Sequence, residues 1–462
     1  MRRNSMIALM CLSAIAAQAQ QNGGIDASML ETISQQQPMS VAEKAISNAL
    51  ATNSIDNLAK NFANSQEVEP IFTIETPKQS ITDQKSSGRC WMFSGLNVLR
   101  SKFTNESTLP IDFSHDYLFF WDQLEKANLF LQGIIDTADK PIDDQRVQFF
   151  FKSPLSDGGT FCGVADLADK YGLVPKSVMP ETYSAENTAR FRTLLNSKLR
   201  EMGLRLRDMS NGKEKKNVQK EKTQMLKDVY RLLCLAYGEP PKTFTYAFKD
   251  KNGKKGETKT YTPQSFYAET VGGKINGSFI MVMNDPRRPY HKTYEVEYDR
   301  HTYDGHNWKY LNLPMEEIAQ LAIASLKDGR KLYSSYDVGK QLDRTRGYCD
   351  LANYDYATLL GTTFNMDKAQ RISTFDSGST HAMTLTAVDL DSEGKPTRWK
   401  VENSWGATSG HHGYIVMSNR WFEEYMFRLV VDNKYVPEQL MKEFEQKPLM
   451  VMPEDPLFQE DK

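Results

Sequence analysis

Cys90 has surroundings that could make it a nucleophile. It stands in Gln84-Lys-Ser-Ser-Gly-Arg-Cys90-Trp91, directly before a strongly periodic helical pattern. A cysteine attacks as its thiolate, and a helix N-terminus favours that negative charge through its dipole and unpaired N–H groups. The side-chain amide of Gln84 could donate to an oxyanion beside the thiol. We predict nucleophilic catalysis at Cys90; the alternative is one more buried core cysteine.

A nucleophilic thiol needs a base, and the base needs a partner that fixes its tautomer. The candidates are seven histidines: His115, His291, His301, His306, His381, His411 and His412. An alternating segment follows His381, turns near Ser392 and returns to Asn403. A hairpin centred there would place His381 opposite Asn403, and a slip of two residues would keep both on one face. We predict that Asn403 orients His381; alternatively, Asn403-Ser-Trp-Gly406 is an ordinary strand-end turn.

Two further expectations concern the electrostatics of this pair. Trp405 shares the face of Asn403 and could shield the pair from water. A thiolate and an imidazolium stabilise each other, so we predict a lowered pKa for Cys90 and a raised pKa for His381.

The cysteine spacing indicates neither a metal site nor a redox site, since no CxxC pair is present. We therefore predict no metal and no cofactor. Cys162, Cys234 and Cys349 are interpreted as mostly buried, inert thiols.

Helical spacing dominates the first half of the chain and strand alternation the last third. Met92, Leu96 and Leu99 mark one buried helix face, while Thr380–Leu390 and Arg398–Trp405 read as antiparallel strands. This pattern predicts an α+β fold with the nucleophile on a helical lobe and His381 and Asn403 on a sheet.

The N-terminus carries a secretory pattern. Arg2 and Arg3 precede the apolar run Met6–Ala17 and the small-x-small site Ala17-Gln-Ala19. The run is too short to span a bilayer. We predict a signal peptide and a periplasmic or secreted protein; the alternative is a buried N-terminal helix.

The predicted division of the chain has six parts: signal peptide 1–19, polar arm and helix 20–69, helical lobe 70–185, basic helical and hairpin insertion 186–265, β lobe 266–445 and C-terminal tail 446–462.

The segment 186–232 is basic, with 13 Lys and Arg against six Asp and Glu, although the whole chain has a formal net charge of -2. A solvated face is the plain interpretation of such a segment. Nucleic-acid contact and lining of an internal channel remain open.

Three segments resemble the papain-like cysteine peptidases, and within them the bleomycin hydrolase/aminopeptidase C branch. They are Gly88-Arg-Cys-Trp-Met-Phe93, Thr380-His-Ala-Met383 and Val401-Glu-Asn-Ser-Trp-Gly406. The likeness runs from about residue 40 to 440 and includes Asp157-Gly-Gly159 and Asn284-Asp-Pro-Arg287. It implies a papain-like fold with a large insertion and a thioester acyl-enzyme.

The resemblance also implies a role for each matching residue. Cys90 would be the nucleophile, His381 the general base and acid, and Asn403 the third member, with Gln84 in the oxyanion hole. The backbone of Gly158 and Gly159 would pair with an extended peptide, which the missing Cβ atoms would suit.

Assembly and specificity are likewise implied by the resemblance. The branch forms hexameric rings, and its C-terminal tail lies in the cleft, where the carboxylate of Lys462 would pair with a substrate's free α-amino group. The implied function is a broad-specificity aminopeptidase acting on peptides with a free N-terminus. Here Phe-Gln-Glu-Asp461 replaces small apolar residues of the branch's tail. An open-groove endopeptidase, a transferase or amidase, and a catalytically silent binding protein are therefore the alternatives.

Overall fold

The computed structural model describes residues 23–35, 38–103 and 111–458. The predicted signal peptide at 1–19 and the predicted substrate contact Lys462 lie outside the described residues. The chain divides into two compact units, one made of residues up to Lys60 with Tyr356–Gly361, the other of the remainder.

The described residues contain both helices and strands, with more residues in helices, which confirms the mixed α and β content. The helices are α1 Ala27–Ser34, α2 Val41–Thr52, α3 Ile55–Ala59, α4 Cys90–Phe103, α5 His115–Asp136, α6 Gln145–Lys152, α7 Phe161–Tyr171, α8 Tyr183–Glu186, α9 Thr188–Asn211, α10 Val218–Tyr237, α11 Pro263–Val271, α12 Met315–Lys327, α13 Tyr356–Leu360, α14 Lys368–Ser373, α15 Asn419–Tyr425 and α16 Glu438–Phe444. The strands are β1 Ile74–Glu75, β2 Phe244–Tyr246, β3 Lys259–Tyr261, β4 Phe279–Met283, β5 Lys292–Val296, β6 Lys309–Asn312, β7 Leu332–Tyr336, β8 Leu342–Asp343, β9 Tyr348–Cys349, β10 His381–Leu390, β11 Pro396–Glu402, β12 Tyr414–Ser418, β13 Met426–Asp432 and β14 Leu449–Val451.

The smaller unit consists of α1, α2, α3 and α13. The start of α2 is a capping box, in which the Ser40 hydroxyl accepts from the Glu43 N–H and the Glu43 carboxylate accepts from the Ser40 N–H. Within this unit the Tyr356 hydroxyl donates to Asp56 at 2.7 Å.

The larger unit is built on a 12-stranded sheet of the described residues. The strand order is β14-β5-β6-β4-β13-β7-β10-β11-β12-β9-β8, and β1 also pairs with β10. At the centre, β10 lies between β7 and β11, so the strand that begins with His381 is hydrogen-bonded on both sides. A strand held on both edges is a rigid support for a catalytic side chain.

The predicted helix that begins at Cys90 is α4. Its residues Met92, Leu96 and Leu99 are at most 1% exposed and belong to the main apolar cluster. This burial fixes the helix against the rest of the larger unit and thereby fixes its first residue, Cys90.

The basic segment forms two long helices that share this core. Leu199 and Leu206 of α9 and Val229 and Leu233 of α10 are fully buried in the main apolar cluster. Most of their charged residues lie on the outer faces, as expected for amphipathic helices, whereas Arg207 is buried and donates to the Thr137 and Lys140 carbonyls. The segment is therefore packed into the helical core through one face of each helix.

The predicted register of the β10–β11 hairpin was wrong by two residues. Thr384 pairs with Glu402 and Leu385 with Val401, and a bulge follows before Ala387. The bulge shifts the pairing further, and the tight turn closes where the Asp391 N–H donates to the Lys395 carbonyl. Because side chains alternate with a period of two, this error leaves the face of His381 unchanged.

Candidate active site

Cys90 is the first residue of α4 and is half-buried. The N–H groups of Met92 and Phe93 both donate to the Arg89 carbonyl, which closes the first turn. The Cys90 sulfur therefore lies at the positive end of the helix dipole. The N–H of Ala382, which follows His381 on β10, points at the sulfur at 3.5 Å. The structure thus brings the start of α4 and the start of β10 together.

His381 and Asn403 form a buried hydrogen-bonded pair. The distance between His381 Nε2 and Asn403 Oδ1 is 2.8 Å, and both residues are less than 10% exposed. Asn403 Oδ1 also accepts the N–H of Ser404 at 2.8 Å, which identifies this atom as the amide oxygen. His381 Nε2 must then carry the proton, so Nδ1 is the nitrogen that is available as a base.

Gln84 is held with its amide in one orientation. Its Oε1 accepts from the Ser404 hydroxyl at 2.6 Å, and its Nε2 donates to the Ser87 carbonyl at 2.5 Å. Its backbone N–H donates to the Ser404 carbonyl. An amide nitrogen has two N–H groups, so a second donor remains for an oxyanion. Sequence reasoning missed Ser404, although its position directly after Asn403 was a usable signal.

Known proteins share this chain's sequence and structure over most of its length. The model of the Peptidase C1-like family matches residues 24–458. Aminopeptidase C of Lactobacillus delbrueckii subsp. lactis is 39% identical over 89% of this chain and 92% of its own length. Human bleomycin hydrolase is 38% identical, over 89% of this chain and 93% of its own. The crystal structure of PepW from Lactobacillus rhamnosis HN001 superposes with a TM-score of 0.88 at 36% identity, covering 94% of this chain and 99% of that one.

The chain belongs to the Peptidase C1-like family. The resemblance noted in the sequence is thereby confirmed at the level of the family and of its aminopeptidase C and bleomycin hydrolase relatives.

The pKa of His381 shifts in the direction opposite to the prediction. The pKa falls from 6.5 to about 4, chiefly because of burial; the hydrogen bond to Asn403 opposes this fall, and the positive charge of Arg344 adds to it. Removing water penalises the imidazolium more than one hydrogen bond stabilises it. The expectation of a raised pKa considered only the thiolate and omitted burial and Arg344.

The Gly158–Gly159 segment of this peptidase-family chain is fastened to the nucleophile helix. The Trp91 indole donates to the Asp157 carbonyl at 2.8 Å, and the Asp157 carboxylate accepts the N–H of Gly88 at 2.8 Å. The glycine segment and the start of α4 are therefore joined through Asp157. Asp157 belongs to the resemblance noted in the sequence, but no role was assigned to it there.

His301 packs behind the second glycine. A Cβ on Gly159 would lie 2.1 Å from the His301 ring, and the Thr160 N–H donates to His301 Nε2 at 3.3 Å. The other ring nitrogen lies 2.5 Å from Asp122, a fully buried carboxylate. Glycine is thus required at 159 by the packing of His301. No local pattern had distinguished this histidine from the other six.

Trp405 contacts the imidazole as the strand pattern predicted. Its ring lies 4.8 Å from the His381 ring, centroid to centroid, at an interplanar angle of 31°. The Arg344 guanidinium lies over the Trp405 ring at 5.0 Å from its centroid. Trp405 therefore covers the imidazole on one side.

A cavity of about 860 Å³ opens beside Gly158 and Gly159. Its apolar lining residues include Phe130, Phe149, Tyr298 and Phe458. Such a cavity is large enough for amino-acid side chains.

The other three cysteines of the described residues are also free thiols. Burial raises the pKa of Cys162, Cys234 and Cys349, which keeps all three protonated at neutral pH. Within residues 23–35, 38–103 and 111–458, no group of three or more His, Cys, Asp or Glu side chains could hold a metal ion. In the same ranges, no helix has the length and apolar character needed to cross a membrane.

Proposed function

We propose that this chain is a cysteine aminopeptidase of the bleomycin hydrolase type, which hydrolyses peptides with a free N-terminus through a thioester. The observation that carries the proposal is the contact between Cys90 at a helix N-terminus and the strand of the hydrogen-bonded His381–Asn403 pair. Relatives named aminopeptidase C and bleomycin hydrolase, aligned over most of the chain, support it.

The proposed mechanism assigns one step to each group. His381 Nδ1 accepts the thiol proton as the Cys90 sulfur attacks the peptide carbonyl carbon. The oxyanion is stabilised by the second N–H of Gln84 and by the first turn of α4. His381 then gives the proton to the leaving amine, the C–N bond breaks, and a thioester remains on Cys90. Water, deprotonated by His381, hydrolyses the thioester and restores the thiol.

Cys90→Ala tests this assignment, since it removes the sulfur that is proposed to form the thioester. Hydrolysis of an aminoacyl-anilide should be lost, while Cys234→Ala, which alters a second half-buried thiol, should retain it. Turnover that persists in Cys90→Ala would refute the proposal.

The exopeptidase part of the proposal concerns the C-terminal tail. Asp455 accepts hydrogen bonds at 2.7 Å from both Arg287 and Arg288, and Leu457 is 1% exposed, so the tail is anchored up to this point. We propose that the following residues, ending in Lys462, bind the substrate's α-amino group. An endopeptidase with an open groove is the second candidate, because this ending differs from the branch.

Comparing free and N-acetylated peptides distinguishes the two candidates. The full-length enzyme should cleave free peptides and spare N-acetylated ones, and removal of residues 455–462 should reduce that preference. Equal rates in the full-length enzyme would favour the endopeptidase.

Further proposals concern architecture and location. We propose a papain-like arrangement of a helical lobe, an insertion at 186–265 and a β lobe, and assembly into homohexamers. The N-terminal sequence pattern supports export to the periplasm or the medium after cleavage behind Ala19. N-terminal sequencing of the exported protein tests the cleavage site, and light scattering tests the homohexamer.

Nucleic-acid binding by the basic segment has its own test. Loss of an electrophoretic shift with DNA as salt rises would indicate that the basic segment binds nucleic acid.

A further inference from the structure

Arg344 is presented by a fixed turn between β8 and β9. Asp343 organises this turn, since its Oδ1 accepts the N–H groups of Thr345 and Arg346 and its Oδ2 accepts from the Arg346 guanidinium at 2.8 Å. Arg346 is therefore committed to the turn. Arg344 is exposed, and its guanidinium lies 5.0 Å from the Trp405 ring.

The position of Trp405 indicates whether Arg344 lies near the acyl part of a substrate or near the leaving peptide. The imidazole must protonate the leaving amine, so the leaving peptide lies beside His381, whereas the acyl part lies beside Cys90. Trp405 covers the His381 ring at 4.8 Å. Arg344 lies over the ring of the same indole at 5.0 Å, and therefore on the His381 side of the site, where the leaving group lies. Each extended residue spans ~3.3–3.6 Å, so the first or second residue of the leaving peptide can reach it.

The charge of Arg344 has no partner in the described part of the chain. No carboxylate there forms an ion pair with it, and the neighbouring Asp343 pairs with Arg346 instead. A guanidinium presents a rigid fork of N–H donors that matches a carboxylate. Stacking on an indole restricts the side chain, which reduces the entropy lost when it binds.

We infer that Arg344 is a specificity-determining residue that binds a carboxylate of the leaving peptide. The carboxylate is either the C-terminus of a one- or two-residue leaving group or the side chain of an acidic residue at those positions. The inference rests on the proposed function and adds a substrate class to it: di- and tripeptides, and peptides acidic just after the cleaved bond.

Selectivity ratios measured in Arg344→Gln test the inference. The first arm compares kcat/KM for alanyl-alanine and alanyl-alanine amide, which differ only in the terminal carboxylate. The second compares alanyl-aspartate amide and alanyl-asparagine amide, which differ in the side chain. Arg231→Gln, which neutralises an exposed arginine on α10, is the matched control, and thermal melts confirm that both variants are folded.

We expect the wild type and Arg231→Gln to prefer the carboxylate substrate in at least one arm. Arg344→Gln should lose about fivefold of that preference, the scale of an exposed charge pair, and Arg344→Lys should restore part of it. The wild-type preference should also weaken as salt rises. The arm that responds identifies the source of the carboxylate. Ratios unchanged by Arg344→Gln in both arms would overturn the inference, whereas a wild type that cleaves none of the four substrates would contradict the proposed function.

Discussion

The amide oxygen of Asn403 connects two parts of the candidate active site. Its oxygen accepts from His381 Nε2 and from the Ser404 N–H, each at 2.8 Å. Ser404 in turn holds Gln84 through its hydroxyl at 2.6 Å. The base and the proposed oxyanion donor are therefore linked through one dipeptide.

Replacing Asn403 should impair the reaction without abolishing it. Asn403→Ala leaves two buried N–H donors unsatisfied and frees the imidazole to turn, so we expect kcat to fall roughly 10- to 100-fold. Steady-state kinetics of Asn403→Ala and Cys90→Ala provide the comparison. A loss as complete as in Cys90→Ala would mean that Asn403 does more than orient the base.

The lowered pKa of His381 predicts the acid limb of the activity. The imidazole must be unprotonated to accept the thiol proton, and its pKa is about 4 because of burial and the charge of Arg344. Activity should therefore persist well below pH 6.5 and fall as the pH approaches 4. Removing the cation in Arg344→Gln should move this limb to higher pH, because the imidazolium then forms more easily.

Profiles of kcat/KM between pH 3.5 and 8 measure this shift on alanyl-alanine amide, which carries no carboxylate that titrates in this range. The limb of Arg231→Gln should stay at the wild-type position. A wild-type midpoint at or above pH 6.5 would instead support the raised pKa that the sequence predicted.

At the scale of elements, the hydrophobic pattern predicted the nucleophile helix and the strand pair but not their exact pairing. Apolar spacing specifies which face of α4 is buried, and alternation specifies which face of β10 carries His381. The bulge after Leu385 depends on packing in the sheet and leaves no local signal. The hydrogen bond between Gln84 and Ser404 joins segments 320 residues apart, which local pattern cannot specify.

The packing of His301 against α7 and the Gly159 segment makes a prediction about stability. A Cβ at Gly159 would lie 2.1 Å from the ring, whereas a Cβ at Gly273 would meet nothing within 4 Å. Gly159→Ala should therefore lower the free energy of unfolding by ~1–3 kcal/mol, as overpacking does. Gly273→Ala is the control. Urea unfolding curves measure both, and equal stability would show that the ring moves aside without cost.

At the scale of the whole molecule, buried titratable groups make stability depend on pH. Burial lowers the pKa of His115 and His381 below the ordinary 6.5, whereas burial and Glu181 raise that of Asp116 from 3.8 to about 8. Between pH 6.5 and 4 the unfolded chain binds more protons than the native protein at both histidines, so each loses stabilisation as the pH falls. Asp116 opposes this, because the native protein keeps a proton there that the unfolded chain releases above 3.8.

Two histidines lose stabilisation as the pH falls and one carboxyl group, Asp116, gains it. Acidification from pH 6.5 to 4.5 should therefore lower the free energy of unfolding. His115→Leu should reduce that loss, because it removes one of the two groups, and its buried ring nitrogens have no hydrogen-bond partner within the described residues. Urea titrations at pH 7 and 4.5 compare the two proteins. An identical loss in the variant would mean that His115 does not titrate in this range.

The family and the catalytic residues could be predicted because they lie in recognisable sequence motifs. Residues outside such motifs could not be assigned a role from the sequence. The segments around Cys90, His381 and Asn403 predicted the family, which the aligned relatives confirm over 89% of the chain. Arg344 and His301 lie in no motif, since their contacts with Trp405 and Gly159 arise only from the folded chain.

Trapping the acyl-enzyme tests the central claim, that Cys90 carries the substrate's acyl group, most directly. An alanyl ester is mixed with the enzyme and quenched in acid within the first turnover, and the digested protein is analysed by mass spectrometry. We expect an alanyl thioester on the peptide containing Cys90 and none in His381→Ala. Full turnover in the wild type with the adduct on another residue, or with none formed, would contradict the account.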